Sequence, residues 1–360
     1  MHPRIRNAPM NENCSEGQAA LLETVIHRGL CVTCGACVDL CPYFAYVDGR
    51  VVVMDQCRAG EGRCFRSCPV VPRKKGGHEA DENEERDGIG PYLSVVAARS
   101  PHAEKRASAQ NGGVVTLLTA FALESGLIDS AIVTGRDHGL SPSGERIDSS
   151  TRIASVAGSR YSASGTLSAL NRVEKEERAV RKIGVVGLPC QMRALEKRKK
   201  YLEEKGIKDS VVLRIGLFCT WALDYRGLSL YLTDKGLKGS IKKADIPPPP
   251  AEVFRVLTEE GDSVEYPLPE IRKLIQKGCT ICGDMTAIYG DISVGAFEGR
   301  EGWNTVIVRT ERGKSLFDAS AARGEIEIAP FPQENLKGLT RAALGKKRRG
   351  AEACRQMIGE

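Results

Sequence analysis

Four cysteines, Cys31, Cys34, Cys37 and Cys41, fall within the stretch LCVTCGACVDLCPYF at residues 30–44, and the run closes on Pro42. Thiols gathered this densely hold something, and what they hold depends on the compartment: disulfides in an oxidising one, metal or redox chemistry in a reducing one. The N-terminal MHPRIRNAPMNENCSEGQ has no apolar core of the kind a secretory signal carries. The thirteen cysteines of this 360-residue chain are therefore expected in a reducing, cytoplasmic setting, as metal or redox ligands rather than disulfides. No stretch reaches the ~20 apolar residues that span a bilayer, so membrane contact is expected only through a partner.

The spacing CxxCxxCxxxCP lets three thiolates of a tight loop bind one iron-sulfur cube while the fourth serves a neighbouring cube, as in bacterial-type ferredoxins. Zinc is the alternative, although zinc sites usually draw two cysteines from a loop. A partner run, CRAGEGRCFRSCPV, adds Cys57, Cys64 and Cys68 and again ends its cysteines on a proline. By cross-over, Cys31, Cys34, Cys37 and Cys68 are expected to hold one cube, leaving Cys41, Cys57 and Cys64 for the other. The second set is one thiolate short, because Glu61 stands where a regular run has a cysteine. That site is expected to use another ligand, to hold three irons or to stay empty, with Cys14 a candidate for the missing thiolate.

Residues 73–90, RKKGGHEADENEERDGIG, are charged and glycine-rich without apolar periodicity, and read as a linker. The expected division is an iron-sulfur domain at 1–72, the linker at 73–90, a larger domain at 91–345 and a basic tail at 346–360. In the larger domain AIVTG (131–135), KIGVVGLP (182–189) and VVLRIGLFC (211–219) read as buried strands. GGVVTLLTAFALESG (112–126) and QMRALEKRKKYLEEKG (191–206) carry apolar residues at helical spacing and end on glycine. This alternation predicts an α/β domain with a mixed, largely parallel sheet, α+β over the whole chain. AEVFRVLTEEGDSVEYPL (251–268), entered through a tetraproline at 247–250, reads as a hairpin turning at Glu260 and Gly261. Residues 303–331 read as a second hairpin-like unit with a helix between its strands. GKKRRG (345–350) is expected to be a solvated basic face. A net charge of +6 and only 5% aromatic residues argue against a nucleic-acid partner.

Four further cysteines are scattered: Cys190 in GLPCQ, Cys219 in LFCT, and Cys279 with Cys282 in KGCTICGD. Cys190 and Cys219 follow predicted strands. The carboxyl ends of strands line the ligand crevice of an open α/β sheet, so these two and the CxxC pair can meet there. Ordinary buried cysteine is the alternative. A Cys190 nucleophile beside a histidine is disfavoured, since His2, His27, His78, His102 and His138 all lie in the N-terminal half.

Together, NGGVVTLLTAFALESGLIDSAIV, AGSRYSASGTL, KIGVVGLPCQMRALEK, GLFC, KGCTICGDMTAIYGDISVG and GWNTVIVRTERG, in this order, resemble the beta subunits of coenzyme F420 hydrogenases and dehydrogenases. The resemblance covers about residues 90–337, and 31–69 looks like the ferredoxin-like module fused to many members. It implies an α/β FAD-binding domain in which Cys190, Cys219, Cys279 and Cys282 ligate a cluster beside the flavin. It also implies that Asn111, Gly112, Gly113 and Thr116 approach FAD, with Gly158, Ser159, Arg160 and Tyr161 nearby. A small-residue turn at a helix start suits an anion, although a GG before a helix is also a plain cap. The chain lacks the GxGxxG strand-to-helix fingerprint of the familiar nicotinamide fold.

The activity so implied is that of an oxidoreductase, an iron-sulfur flavoprotein that exchanges a hydride with coenzyme F420 at FAD. Single electrons then pass through two or three 4Fe-4S clusters to or from a partner redox protein or larger complex, with no side chain acting as a covalent catalyst. Two alternatives stand beside it. One is a non-catalytic iron-sulfur adaptor subunit, and the other a flavin oxidoreductase of the same family that uses ferredoxin or another carrier in place of F420.

Overall fold

The structure, a computed structural model, describes residues 16–71, 88–137, 141–176, 182–247 and 250–358. Cys14, nearly all of the expected linker and the middle of the tetraproline lie outside the described residues. In the N-terminal segment, α1 (Gln18–Leu21) runs into a π turn at Leu22–Ile26. Strands β1 (Phe44–Val47) and β2 (Arg50–Val53) form an antiparallel ribbon, and α2 (Arg63–Arg66) carries Cys64.

The centre of the molecule is an eight-stranded sheet built from β3 (Ser94–Arg99), β4 (Ser130–Asp137), β5 (Ser141–Ile147), β6 (Ile183–Gly187), β7 (Val211–Leu217), β11 (Ile292–Ala296), β12 (Asn304–Val308) and β13 (Glu327–Pro330). Its order is β13-β3-β12-β11-β7-β6-β4-β5. A separate antiparallel sheet joins β8 (Ile241–Asp245), β9 (Val253–Thr258) and β10 (Ser263–Pro267), with the β9–β10 hairpin turning where the sequence places it. The helices of this part are α3 (Ala103–Ser108), α4 (Val114–Glu124), α5 (Leu167–Glu176), α6 (Pro189–Glu204), α7 (Tyr225–Asp234), α8 (Leu268–Arg272), α9 (Glu311–Ala322) and α10 (Gln333–Ile358).

Two expectations about the sheet are corrected. Only its four central strands, β11, β7, β6 and β4, run parallel, and the four flanking pairs are antiparallel, so the sheet is mixed rather than largely parallel. The connections explain this, since parallel neighbours need a crossover long enough for a helix, whereas β4 to β5 and β11 to β12 turn back through short loops. β12 and β13 do not form a hairpin-like unit either. Both pair with β3, which lies between them.

Successive residues of the central strands face opposite cores, as a two-residue repeat requires. Ala131, Val133 and Val186 pack with Leu118 and Phe121 of α4 and Phe317 of α9, while Ile132, Ile183 and Val185 pack with Leu170 of α5 and Leu195 of α6. The second core also takes in Val32 and Cys34 from the N-terminal segment. That segment is fastened further by Asn171, whose Nδ2 donates to the carbonyls of Gly35, Ala36 and Val38 at 3.4, 3.2 and 2.7 Å. Gly35, with φ +83°, approaches so closely that a Cβ there would stand 2.4 Å from the Gly165 carbonyl oxygen. The cysteine loop is thus held both by the α/β core and by a small core of its own, in which Leu21, Val25, Val38 and Phe44 pack with Cys31, Cys37 and Cys41. An Asn171→Ala substitution is expected to cost about 1–3 kcal/mol, because buried carbonyls lose their donor. Denaturant unfolding measures the cost, and faster iron release to a chelator would show the loop loosened.

Candidate functional site

Strands β6 and β7 are parallel neighbours with Gly187 opposite Gly216, and Cys190 and Cys219 each lie three residues beyond these partners. The register therefore delivers both thiols to one end of the sheet. Cys190 falls in the first turn of α6, which starts at Pro189 and is held by Gln191, whose Oε1 accepts the Leu188 N–H at 2.8 Å. Cys279 closes the short 3-10 turn Lys277–Cys279, and Cys219 N–H donates to the Met285 carbonyl at 2.9 Å, drawing the CxxC loop beside β7. Cys190, Cys219, Cys279 and Cys282 line one small pocket with Val32, Trp221 and Lys346.

Burial pushes the Cys219 thiol up to about 12 and raises those of Cys190 and Cys279, with the neighbouring thiols adding to the rise. Deprotonating them together without a cation would place several charges in a dry pocket, so ligation by metal is what can take their protons. Among the described residues no three His, Cys, Asp or Glu side chains converge as they would on a single metal ion. Four thiols bordering a pocket suit instead a cube that takes one thiolate at each iron.

The N-terminal thiols lie close enough together for their charges to act on one another. After burial, the charges that raise the Cys34 thiol are those of Cys68 and Cys31, and those that raise Cys37 are those of Cys34, Cys31, Cys68 and Cys64. Burial likewise holds Cys31 up to about 11, with Cys68 beside it. Cys64 is raised to about 11 by burial, with Cys41 and Cys57 as its charged neighbours. These neighbours are compatible with the expected sets Cys31, Cys34, Cys37, Cys68 and Cys41, Cys57, Cys64, although Cys64 of the second also acts on Cys37 of the first. Glu61 is exposed. The first set adjoins the inner pocket: Cys34 belongs to the apolar core against which Cys190 packs, and after burial its charge is the largest influence on the Cys190 thiol.

Asn111, Gly112, Gly113 and Thr116 lie at the start of α4, where Gly113 is in the left-handed region (φ +78°) and the first helical N–H, that of Val114, donates to Asn304 Oδ1 at 3.3 Å. The tightness of this turn has a packing cause, since a Cβ on Gly112 would stand 2.7 Å from Asn304 Oδ1 and 2.9 Å from the Ala98 carbonyl oxygen. Gly158, Ser159, Arg160 and Tyr161 form a loop brought to the same region through Gln110. Its Nε2 donates to Asp245 Oδ1 and its Oε1 accepts the Ser159 N–H at 3.5 Å, while Tyr161 OH donates to the same Asp245 oxygen at 3.5 Å. Arg160 folds over its own loop, its Nη1 donating to the carbonyls of Gly158 and Ser159 at 3.1 and 3.3 Å. From Tyr161 the chain continues to Ala163 and Ser164, which line the cysteine pocket.

The sequence reading overlooks two groups. Gln110, adjacent to the glycine turn, joins the two loops. Lys346 belongs to the stretch read as a solvated basic tail, but the structure places it in α10 at 4% exposure, with Nζ donating to the Cys219 and Asp284 carbonyls at 2.7 and 2.8 Å. Its helix presents Ala343, Lys346 and Gly350 inward, so the run has one buried face despite its composition.

Residues 95–171 match the N-terminal family, and residues 180–334 the C-terminal family, of the coenzyme F420 hydrogenase/dehydrogenase beta subunit. Residues 24–47 match a 4Fe-4S binding domain. The coenzyme F420 hydrogenase subunit beta of Methanosarcina barkeri is 34% identical over 68% of this chain and 84% of its own length. An F(420)H(2) dehydrogenase subunit of Methanosarcina mazei is 28% identical over 93% of this chain and 94% of its own. Among solved structures, a chain of the F420-reducing [NiFe] hydrogenase complex from Methanosarcina barkeri superposes with a TM-score of 0.67 at 31% identity, covering 76% of this chain and 94% of that one. The chain therefore belongs to the family of coenzyme F420 hydrogenase/dehydrogenase beta subunits, with a 4Fe-4S binding segment at its N-terminal end.

Proposed function

We propose that this chain exchanges a hydride with coenzyme F420 at FAD and passes electrons singly through iron-sulfur clusters to or from a partner redox protein. The observation that carries the reading is the meeting of Cys190, Cys219, Cys279 and Cys282 on one pocket beyond β6 and β7. Cys34 adjoins that pocket through the apolar core, and the chain from Gly158 to Ser164 runs into it. When bound, a flavin supplies a centre that handles hydride and single electrons alike, and the clusters supply one-electron carriers.

In this reading Cys190, Cys219, Cys279 and Cys282 hold an inner cluster. Cys31, Cys34, Cys37 and Cys68 hold a second next to it, and Cys41, Cys57 and Cys64 belong to a third, outer site. Asn111, Gly112, Gly113 and Thr116 present the start of α4 to FAD phosphate, where the helix dipole and the N–H groups beyond Val114, whose own N–H is taken by Asn304, favour an anion. Gly158, Ser159, Arg160 and Tyr161 border the same cofactor. The chain is then a flavin domain at 91–345 joined to an iron-sulfur domain at 1–72, and similarity to hydrogenase and dehydrogenase subunits supports work inside a larger complex.

The test is the absorption spectrum and the flavin and iron content of anaerobically purified protein, followed by mixing with reduced F420. Flavin bleaching followed by cluster reduction is the expected result. Iron without flavin, and no response to reduced F420, would leave an electron adaptor instead. At the outer site, Glu61→Cys in the full chain is expected to convert a three-thiolate site into an ordinary four-iron one. Electron paramagnetic resonance would show an oxidised three-iron signal replaced by a reduced four-iron signal, and an unaltered spectrum would mean that another residue already completes the site.

A further inference from the structure

Lys346 is a buried cation that makes no ion pair at contact distance among the described residues; the nearby Asp284 carboxylate acts on it through its charge, but its oxygens accept the backbone N–H groups of Thr286, Ala287 and Ile288. Lys346 is 4% exposed, and both of its hydrogen bonds go to neutral carbonyls, those of Cys219 and Asp284. Among the described residues no Asp or Glu forms an ion pair with it, although isolated buried charges are expensive and are normally paired. What surrounds it is the thiol pocket, which it lines together with Cys190, Cys219, Cys279 and Cys282. The helix that carries it is seated for this purpose: Gly350, one turn on, lies against Cys282, where a Cβ would stand 3.1 Å from the carbonyl. The family match ends at residue 334, at the start of this helix.

We infer that Lys346 is the counter-cation of the inner iron-sulfur cluster and holds its reduction potential above the value that four buried thiolates alone would give. The inference rests on the proposed inner cluster. Four thiolates and a cube carry net negative charge in both redox states, and one added electron makes the cluster more negative still. A fixed neighbouring cation stabilises the reduced state more than the oxidised one, and net charge and burial are among the factors that set such potentials. Lys346 is therefore a positioning and tuning residue, not a catalytic one. When electrons flow from F420, a raised potential at the cluster nearest the flavin favours its taking an electron.

The experiment compares wild type with Lys346→Met, Lys346→Gln and Lys346→Arg in the full chain, measuring iron content and the potential of the inner cluster by redox titration followed by electron paramagnetic resonance. Cys219→Ala identifies which signal is the inner one. If no signal and no iron depend on Cys219, the inner cluster itself fails as a reading, and this inference goes with it. If the cluster is present, a more negative potential in the Met and Gln variants with near-native behaviour in Arg supports the inference. Loss of the cluster in Met and Gln but not in Arg also supports it, since charge is then what assembly needs. An unchanged potential at full iron content, an equal shift in Arg and Met, or equal cluster loss in all three variants would overturn it by leaving only a packing role.

Discussion

A Cys219→Ala variant is expected to lose about four irons per chain, the content of one cube, and to leave the flavin unable to reduce the N-terminal clusters. The basis is geometric. Gly187 and Gly216 are paired across β6 and β7, so Cys190 and Cys219 project from equivalent places, and the 3-10 turn ending at Cys279 closes the pocket from the other side. One missing thiolate leaves an iron without its protein ligand in a site where burial raises the Cys190 and Cys279 thiols, which then hold their protons more tightly. Cys354→Ala, on α10 and outside the lining of the cysteine pocket, is the control and should keep its iron. Because ligation and folding are coupled, circular dichroism must show that the variant is folded before its iron content is interpreted. Unchanged iron in folded Cys219→Ala would show these four cysteines to be ordinary core residues.

The parts of this arrangement that the sequence displays are those written locally. Cys31, Cys34, Cys37 and Cys41 are within one loop, so ligand spacing reads directly from residue number, and the later sets follow from the same rule. Cys190 and Cys219 can be placed at strand ends because each follows a run of buried β-formers, and all five residues of Ile183–Gly187 are indeed buried. What stays hidden depends on non-local pairing or on a single residue's surroundings. Nothing near Ser94–Arg99 announces that this strand inserts between β12 and β13, more than 200 residues away. Lys346 is masked by its neighbours, since in GKKRRG composition points to solvent while helical phase turns this one lysine inward. Gly112 teaches a different lesson. Its small size reads as room for a cofactor, yet Asn304 and Ala98 already require it.

That last point changes how hydride entry should be tested. Gly113→Val would place a branched residue at φ +78°, a conformation that strains any L side chain, so loss of flavin there would be mixed with damage to α4. Removing the flavin from wild-type protein avoids the ambiguity. Flavin-free protein is expected to keep clusters that dithionite reduces, while reduced F420 no longer reduces them, a loss of essentially the whole rate that added FAD restores. The reason is electronic. A deazaflavin gives up a hydride and is a poor one-electron donor, whereas an iron-sulfur cluster accepts single electrons, so the proposed reading places a flavin between them. Its proposed place agrees with that order, since the loop Gly158–Tyr161 meets the start of α4 through Gln110 and then leads within three residues to Ser164 on the cysteine pocket. Stopped-flow absorbance separates the two steps, flavin bleaching first and cluster bleaching second. Cluster reduction by F420H2 at the native rate in flavin-free protein would break the mechanism and return the chain to the role of an electron adaptor.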